Sequence, residues 1–363
     1  MKFLLSGYYG FGNAGDEAVL AAILDALGSR VPSGTEYIVT AGDPERTIAM
    51  HSTPSHRVIV VPRQHPRLLL QAIKACDVFI SGGGSLLQDV TSLRNVVYYT
   101  SLMRWARLAR KPLMVYAQGV GPLRKPMSRK LSRVAMQGAK ILTVRDADSQ
   151  TLLRSIGVRR EIEVTADPVW ALDCTNQAGR DSNGSQSSKQ NVWCVSLRSW
   201  PNVTNEAEHA AGAFKQVCDA ARAANARLRF LPMQPSSDGP LIEEQFHKFA
   251  DATQDEIIDT SRLHPGAVMA EAGRCNLMLA MRLHALIFAA AQGVPCVAIN
   301  YDPKVAVLAK MIGAPVLERE DFTASSGGTL AAAVAAAKPA DPNLLAALKS
   351  KALHNADLAA SLL

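Results

Sequence analysis

Three glycine-rich segments follow short apolar runs in this 363-residue chain. Each bares backbone N–H groups where an anion could sit. The first reads Gly7-Tyr8-Tyr9-Gly10-Phe11-Gly12-Asn13-Ala14-Gly15-Asp16-Glu17, and its Gly10, Gly12 and Gly15 satisfy GxGxxG. The second is Ser81-Gly82-Gly83-Gly84-Ser85, leading into Leu86-Leu87-Gln88-Asp89. The third is Gln118-Gly119-Val120-Gly121-Pro122. A dinucleotide-binding loop also wants an acid ending the second strand, roughly 20 residues on. Here Asp43 comes late. The first segment therefore reads either as an anion-binding loop or as a tight strand-to-helix turn capped by Asp16. Any one of the three could be only a turn. Three of them at carboxyl strand ends suit close contact with an anion or a sugar.

Cationic and titratable side chains stand at similar places. Arg145, Arg198 and Arg282 fall at or just after strand-like runs. A guanidinium fork there can hold a carboxylate or phosphate at two points, and it can equally serve a structural salt bridge. Arg282 lies two residues before His284, and histidine is the usual group for proton transfer near neutral pH. The plain alternative for His284 is a buried histidine capping the helix that starts there. Lys304 is either a point charge for a phosphate or a solvated loop lysine. Asp167 ends a strand or pairs with an arginine. A second Arg-Leu-His at Arg262–His264 runs into Pro265; lacking a strand before it and a helix after it, it reads as coincidence. The other histidines, His51, His56, His65, His209, His247, His264 and His354, are expected at the surface. No His/Asp/Glu grouping has metal-ligand spacing. The six cysteines contain no CxxC pair, so they read as small buried hydrophobes in a reducing compartment.

These residues need a scaffold that presents strand ends. Short apolar runs at Phe3–Ser6, Tyr37–Thr40, Val58–Val61, Val78–Ser81, Leu113–Ala117 and Ile141–Val144 alternate with amphipathic stretches of helical length. That alternation predicts a parallel, doubly wound sheet. Asn176–Asn191 is polar and rich in Ser and Gly, as a linker would be. The alternation then restarts with Val192–Leu197, Leu228–Leu231, Leu277–Ala280 and Cys296–Ile299. The expected organisation is an α/β protein of two doubly wound domains facing across a cleft. The first covers residues 1–175, with the linker at 176–191 and the second domain at 192–330. Helices at 331–363 are expected to pack back on the first half. Ligands in such sheets bind beyond the carboxyl ends of the strands.

Composition narrows the partners. The net charge is +7, and no Asp or Glu occurs between Asp89 and Asp146. That one-sign interval is either a solvated helix face or a surface for an anionic partner: a phosphorylated substrate, a lipid-linked diphosphate or a membrane. Nucleic acid is disfavoured, since neither zinc-finger spacing nor an aromatic RNA-binding signature occurs. No signal peptide or spanning apolar run is found, which leads us to expect a cytoplasmic protein, with peripheral contact at the inner membrane face left open.

The first glycine loop, SGGGSLLQD, QGVGP, TVRD at Thr143–Asp146 and MRLHA at Met281–Ala285, in this order, resemble the polysaccharide pyruvyl transferase family. The resemblance runs from about residue 3 to about residue 320. It implies two Rossmann-like halves of the glycosyltransferase-B kind, with the acceptor side in the first and the donor side in the second. It implies phosphoenolpyruvate as donor substrate, no further cofactor, and a pyruvate ketal on a glycan as product. The acceptor of some relatives is N-acetylmannosamine on a lipid-linked cell-wall precursor. Carried onto this sequence, the catalytic positions are Arg145, Arg282 and His284. The substrate-binding positions are Gly12, Asn13, Asp16, Gly83, Gly84, Ser85, Gln118, Arg198, Gln234, Leu283 and Lys304. A nucleotide-sugar glycosyltransferase is the main alternative. An NAD(P) oxidoreductase, resting on GxGxxG alone, and a non-catalytic glycan-binding protein are further ones.

Overall fold

Strands buried on both faces can be apolar along most of their length, and in the first sheet of this protein Val78–Ser81 and Leu113–Val120 are buried at every residue. The computed structural model describes residues 1–53, 56–90, 93–174, 190–200, 206–322 and 327–363, so nearly all of the expected linker lies outside the described residues. The chain divides into two units. One holds 1–11, 16–172 and 346–363; the other holds Gly12–Gly15 and Asp173–Leu345.

The first unit runs β1 (Lys2–Tyr9), α1 (Ala14–Gly28), β2 (Glu36–Ala41), α2 (Pro44–His51), β3 (Arg57–Pro62), α3 (Pro66–Ala75), β4 (Val78–Ser81), β5 (Gly84–Leu87), α4 (Leu93–Leu108), β6 (Leu113–Val120), α5 (Pro126–Gln137), β7 (Ile141–Val144), α6 (Ala147–Ser155) and β8 (Glu163–Val164). The strands pair in the order β3-β2-β1-β4-β6-β7-β8, all parallel, with β5 added beside β6. The order reverses between β1 and β4, the point at which doubly wound sheets leave room for a ligand. β5 corrects the reading of SGGGSLL as a plain loop. Gly84, at φ 89°, starts a short strand whose Gly84 and Leu87 pair with Gln118 and Val120. The apolar sides of α3, α4, α5 and α6 share one core with this sheet.

The second unit runs β9 (Asn191–Ser196), α7 (Glu206–Ala223), β10 (Ala226–Phe230), α8 (Pro235–Phe249), β11 (Glu256–Ile257), α9 (Pro265–Gly273), β12 (Leu277–Ala280), α10 (Leu283–Ala291), β13 (Cys296–Ile299), α11 (Pro303–Ile312), β14 (Val316–Leu317) and α12 (Gly327–Ala336). Its parallel sheet has the order β11-β10-β9-β12-β13-β14, reversing between β9 and β12. Phe214 stacks on Phe230 in its core, with centroids 4.5 Å apart.

The last helix, α13 (Pro342–Ala360), belongs to the first unit from Ala346 onward. Its Asn355 is fully buried and accepts from the hydroxyls of Thr143 at 2.7 Å and Thr165 at 3.0 Å. Among the described residues no helix is long and apolar enough to cross a membrane.

Several local readings are corrected. A helix does follow Arg262–His264: α9 begins at Pro265, and His264 Nδ1 accepts the Gly266 N–H at 3.1 Å. A strand precedes it as well, the short β11 at Glu256–Ile257, which ends five residues before Arg262. At α1, which begins at Ala14, Asp16 lies inside the first turn, and the residue before the helix, Asn13, accepts the Gly15 N–H at 3.0 Å. His51 and His56 are buried rather than on the surface, because the chain between β2 and β3 forms α2 and brings His51 onto a buried carboxylate.

Candidate active site

The first unit holds six of the expected positions: Asp16, Gly83, Gly84, Ser85, Gln118 and Arg145. Glu17, buried in the first turns of α1, accepts the Gly10 N–H at 2.8 Å and meets His51 Nε2 at 3.0 Å. That pair ties down the glycine loop, whose Gly10 and Gly12 have φ of 74° and 69°, a region costly for other residues. Asp16 faces the second loop, since a Cβ on Gly84 would lie 3.2 Å from its Oδ1. Gly83 packs so closely on Val19 and Pro168 that a side chain would not fit without movement.

Arg145, at the end of β7, donates to Asp167 Oδ2 at 2.9 Å and to the Ser85 hydroxyl at 3.0 Å. Asp146 lies 3.5 Å from its Nε. Both members of the Arg145–Asp167 pair are buried, so the arginine's charge is compensated within the protein. Gly119 leaves the room for it: a Cβ there would fall 2.7 Å from Arg145 Nε. Gln118 is fully buried, and neither atom of its side-chain amide has a hydrogen-bond partner among the described residues. The same holds for the buried hydroxyls of Ser6, within β1, and Ser81, at the end of β4. Unpartnered buried polar atoms are uncommon and concentrate at functional sites.

Motif reading missed one feature of this unit. Arg63, just past β3, lies over the rings of Tyr98 at 4.4 Å, Phe11 at 5.1 Å, Tyr99 at 5.7 Å and Tyr8 at 6.0 Å. Tyr8 and Phe11 stack with centroids 4.3 Å apart. Both are half-buried. Burial first, then the charge of Asp16, raises the Tyr8 phenol, while Arg63 opposes them. The only trace in the sequence is the aromatic content of Tyr8, Tyr9 and Phe11 within a glycine loop.

In the second unit, Arg282 precedes α10 at the end of β12, beside the point where the strand order reverses. Its Nε donates to Asp238 Oδ2 at 3.0 Å, and its Nη2 donates to Asp238 Oδ1 and to Ser237 Oγ. Asp238 is buried and also accepts the Gln234 N–H at 3.0 Å and the Ser237 hydroxyl at 3.0 Å. Gln234 thus enters the site through its backbone. Leu283 is buried in the first turn of α10, where it anchors the helix. His284 follows it, and Gly15, which groups with this unit, lies against the imidazole: a Cβ on residue 15 would fall 2.1 Å from His284 Nδ1. Ala14 N–H of the same segment donates to Met233 O at 2.7 Å. Gly12, Asn13, Gly15, Gln234, Arg282 and His284 are thereby placed in one unit.

Arg198 and Lys304 make contacts of their own. The Arg198 guanidinium sits over the Tyr301 ring at 4.8 Å and donates to Ser199 O at 3.2 Å, with no carboxylate in ion-pair range among the described residues. Lys304 lies 3.4 Å from Asp302, which caps α11. Among the described residues no cluster of three His, Cys, Asp or Glu side chains could hold a metal ion.

A family model for polysaccharide pyruvyl transferase matches residues 13–303. The amylovoran biosynthesis protein AmsJ of Erwinia amylovora is 22% identical over 390 residues, covering 91% of this chain and 91% of that protein. UDP-GlcNAc 2-epimerase from Methanocaldococcus jannaschii matches in structure with a TM-score of 0.68 at 15% identity, covering 99% of each chain. UDP-GlcNAc 2-epimerase from Neisseria meningitidis bound to UDP-GlcNAc matches with a TM-score of 0.61 at 13% identity, covering 99% of this chain and 100% of that one. At such identities the structural likeness shows the fold alone: two parallel-sheet α/β domains of the glycosyltransferase-B type.

Proposed function

The chain belongs to the polysaccharide pyruvyl transferase family, and from that premise we propose that it moves the pyruvyl group of phosphoenolpyruvate onto two hydroxyls of one sugar. The product is a pyruvate ketal and inorganic phosphate. The candidate acceptor is N-acetylmannosamine of a lipid-linked cell-wall precursor. The observation that carries this reading is the family match across residues 13–303, which includes the loop at Asn13 and the segment holding Arg282 and His284.

The donor carries a carboxylate and a phosphate, so its site needs net positive charge at fixed points. Arg198 supplies a cation that sits over the Tyr301 ring and has no carboxylate in ion-pair range among the described residues. Arg282 is different. Asp238 neutralises it and fixes its plane, which makes it a directional donor rather than a free charge. Lys304, shared with Asp302, adds a weaker point charge. In the reaction C3 of the donor takes a proton, and a sugar hydroxyl oxygen bonds to the cationic C2. A second hydroxyl then bonds to C2 as the C2–O bond to phosphate breaks. One hydroxyl proton is balanced by the new methyl group and the other leaves on phosphate. His284 is the group assigned to these proton transfers. Arg145 is assigned to positioning, because its charge is already matched by Asp167. Gln118, Ser85 and Asp16 would meet acceptor hydroxyls, and the Tyr8–Phe11 ring pair with Arg63 offers a surface for a sugar ring.

A second reading has one observation in its favour: the Neisseria meningitidis neighbour is described as bound to UDP-GlcNAc. A nucleotide-sugar glycosyltransferase would be stabilised against unfolding by UDP-sugars. The deciding assay incubates the protein with phosphoenolpyruvate and a lipid-diphosphate disaccharide ending in N-acetylmannosamine. Phosphate release with a product heavier by pyruvic acid minus water supports the proposal. Stabilisation by UDP-sugar without phosphoenolpyruvate binding would replace it with the second reading.

A further inference from the structure

The interval free of acidic residues between Asp89 and Asp146 covers α4 and α5. Their apolar sides are buried in the first unit's core, which turns the opposite sides outward. On α4, Val97, Arg104 and Leu108 recur at helical spacing. On α5, Met127, Lys130 and Val134 do the same. The four apolar members are unusually open: Val97 is 42% exposed, Leu108 72%, Met127 53% and Val134 51%. The two helices abut at their carboxyl ends, where Arg107 Nη1 donates to Val134 O at 3.3 Å. Arg107 also lies against Gly138, just past α5.

Ordinary solvated helix faces mix the two signs. In this protein α7 pairs Lys215 with Asp219 and α8 pairs Glu244 with Lys248, each four residues apart. Among the described residues no carboxylate pairs with Arg104, Arg107, Arg129 or Lys130. Cations alone would suit any polyanion. Cations interleaved with exposed aliphatic side chains suit the headgroup boundary of a bilayer, where the apolar groups enter the acyl region.

We propose that the outer face of α4 and α5 docks onto an anionic lipid bilayer. The proposal rests on this surface alone and stands or falls separately from the assigned reaction. The test sediments the full chain with vesicles of phosphatidylcholine, alone or mixed equally with phosphatidylglycerol, with neither donor nor glycan present. The expected result is pelleting with the anionic vesicles only, weakening as salt is raised. The double variant Arg104→Glu/Lys130→Glu is expected to bind more weakly by roughly tenfold or more. Leu108→Ser/Met127→Ser is expected to remove the part of binding that survives high salt. Both variants change exposed positions, so an unchanged unfolding temperature checks their integrity. Failure of the wild type to pellet overturns the proposal, as does wild-type affinity in either double variant. Salt-sensitive binding to single-stranded RNA as tight as to vesicles, and untouched by Leu108→Ser/Met127→Ser, would overturn it in favour of a nucleic-acid surface.

Discussion

Arg282 and Asp238 form a two-point ion pair in which the carboxylate is buried and the guanidinium nearly so. Removing one member of such a pair leaves an uncompensated charge out of water. Asp238→Asn is expected to cost about 3 kcal/mol of stability, measured by urea unfolding. It should also abolish the fixed plane of Arg282, so phosphate release should fall with it. A variant as stable as the wild type would show that the pair is loose in solution.

Gly15 and His284 offer a test of the proton-transfer assignment. Nothing larger than hydrogen fits on residue 15 without displacing the imidazole, because a Cβ would overlap its ring and approach its own Cβ to 2.8 Å. Misplacing a catalytic group by an ångström can cost about 100-fold in rate. Gly15→Ala should therefore lower kcat for phosphate release by that order, with a stability cost of about 1–3 kcal/mol for the overlap. Full turnover in Gly15→Ala would remove His284 from the proton-transfer role.

Arg198 and Lys304 should separate in donor affinity. Arg198 has no carboxylate partner among the described residues, whereas Lys304 shares Asp302. A charge-assisted hydrogen bond contributes about 1.5–3 kcal/mol. Arg198→Gln is expected to raise KM for phosphoenolpyruvate by roughly 10- to 100-fold, and Lys304→Gln by less. Equal effects would mean that the Tyr301-held guanidinium is not a donor contact.

Asp89 gives a pH signature. Burial works to raise its carboxyl, but hydrogen bonds from Arg124 N–H and Lys125 N–H prevail and hold it below the usual carboxylate range. A carboxylate depressed on folding stabilises the protein above its unfolded pKa, and that contribution is lost as pH falls through its folded value. The stability gap between the wild type and Asp89→Asn should be widest near neutrality. It should close below about pH 4, followed by chemical denaturation across that range. A gap independent of pH would mean that the carboxylate makes no charged hydrogen bonds.

Asn355 locks α13 onto the first unit through Thr143 and Thr165. Asn355→Leu would take an acceptor away from two buried hydroxyls, leaving them Val115 O and Val144 O, and is expected to cost about 1 kcal/mol, again by urea unfolding. A neutral substitution would imply that the helix is held by its apolar contacts alone.

Much of this architecture is legible locally. Val78–Ser81 reads as a strand and is one, because a buried parallel strand needs only a short apolar run. Helices α2 and α11 are less visible. Each is short and opens on Asp-Pro, a pair that also signals turns. β5 hides inside a glycine run because its pairing with β6 is set by neighbours rather than by its own residues. The Arg63 cluster is illegible for a related reason: its aromatic partners come from the β1–α1 segment and from α4.

The order of the glycine loops, TVRD and RLHA, together with the alternation of short apolar strands and helices, was determined by sequence alone. These signals rest on backbone freedom at glycine, on period and on spacing, all of which act over a few residues. Which cations remain uncompensated was decided only in the tertiary structure. Arg282 finds Asp238 forty-four residues earlier, Arg145 finds Asp167 twenty-two residues later, and Arg198 finds the Tyr301 ring and, among the described residues, no carboxylate. Such pairings depend on strand order and on which loops converge at a sheet's carboxyl edge. The Coulomb energy that sorts free charge from paired charge falls with distance through space, not along the chain.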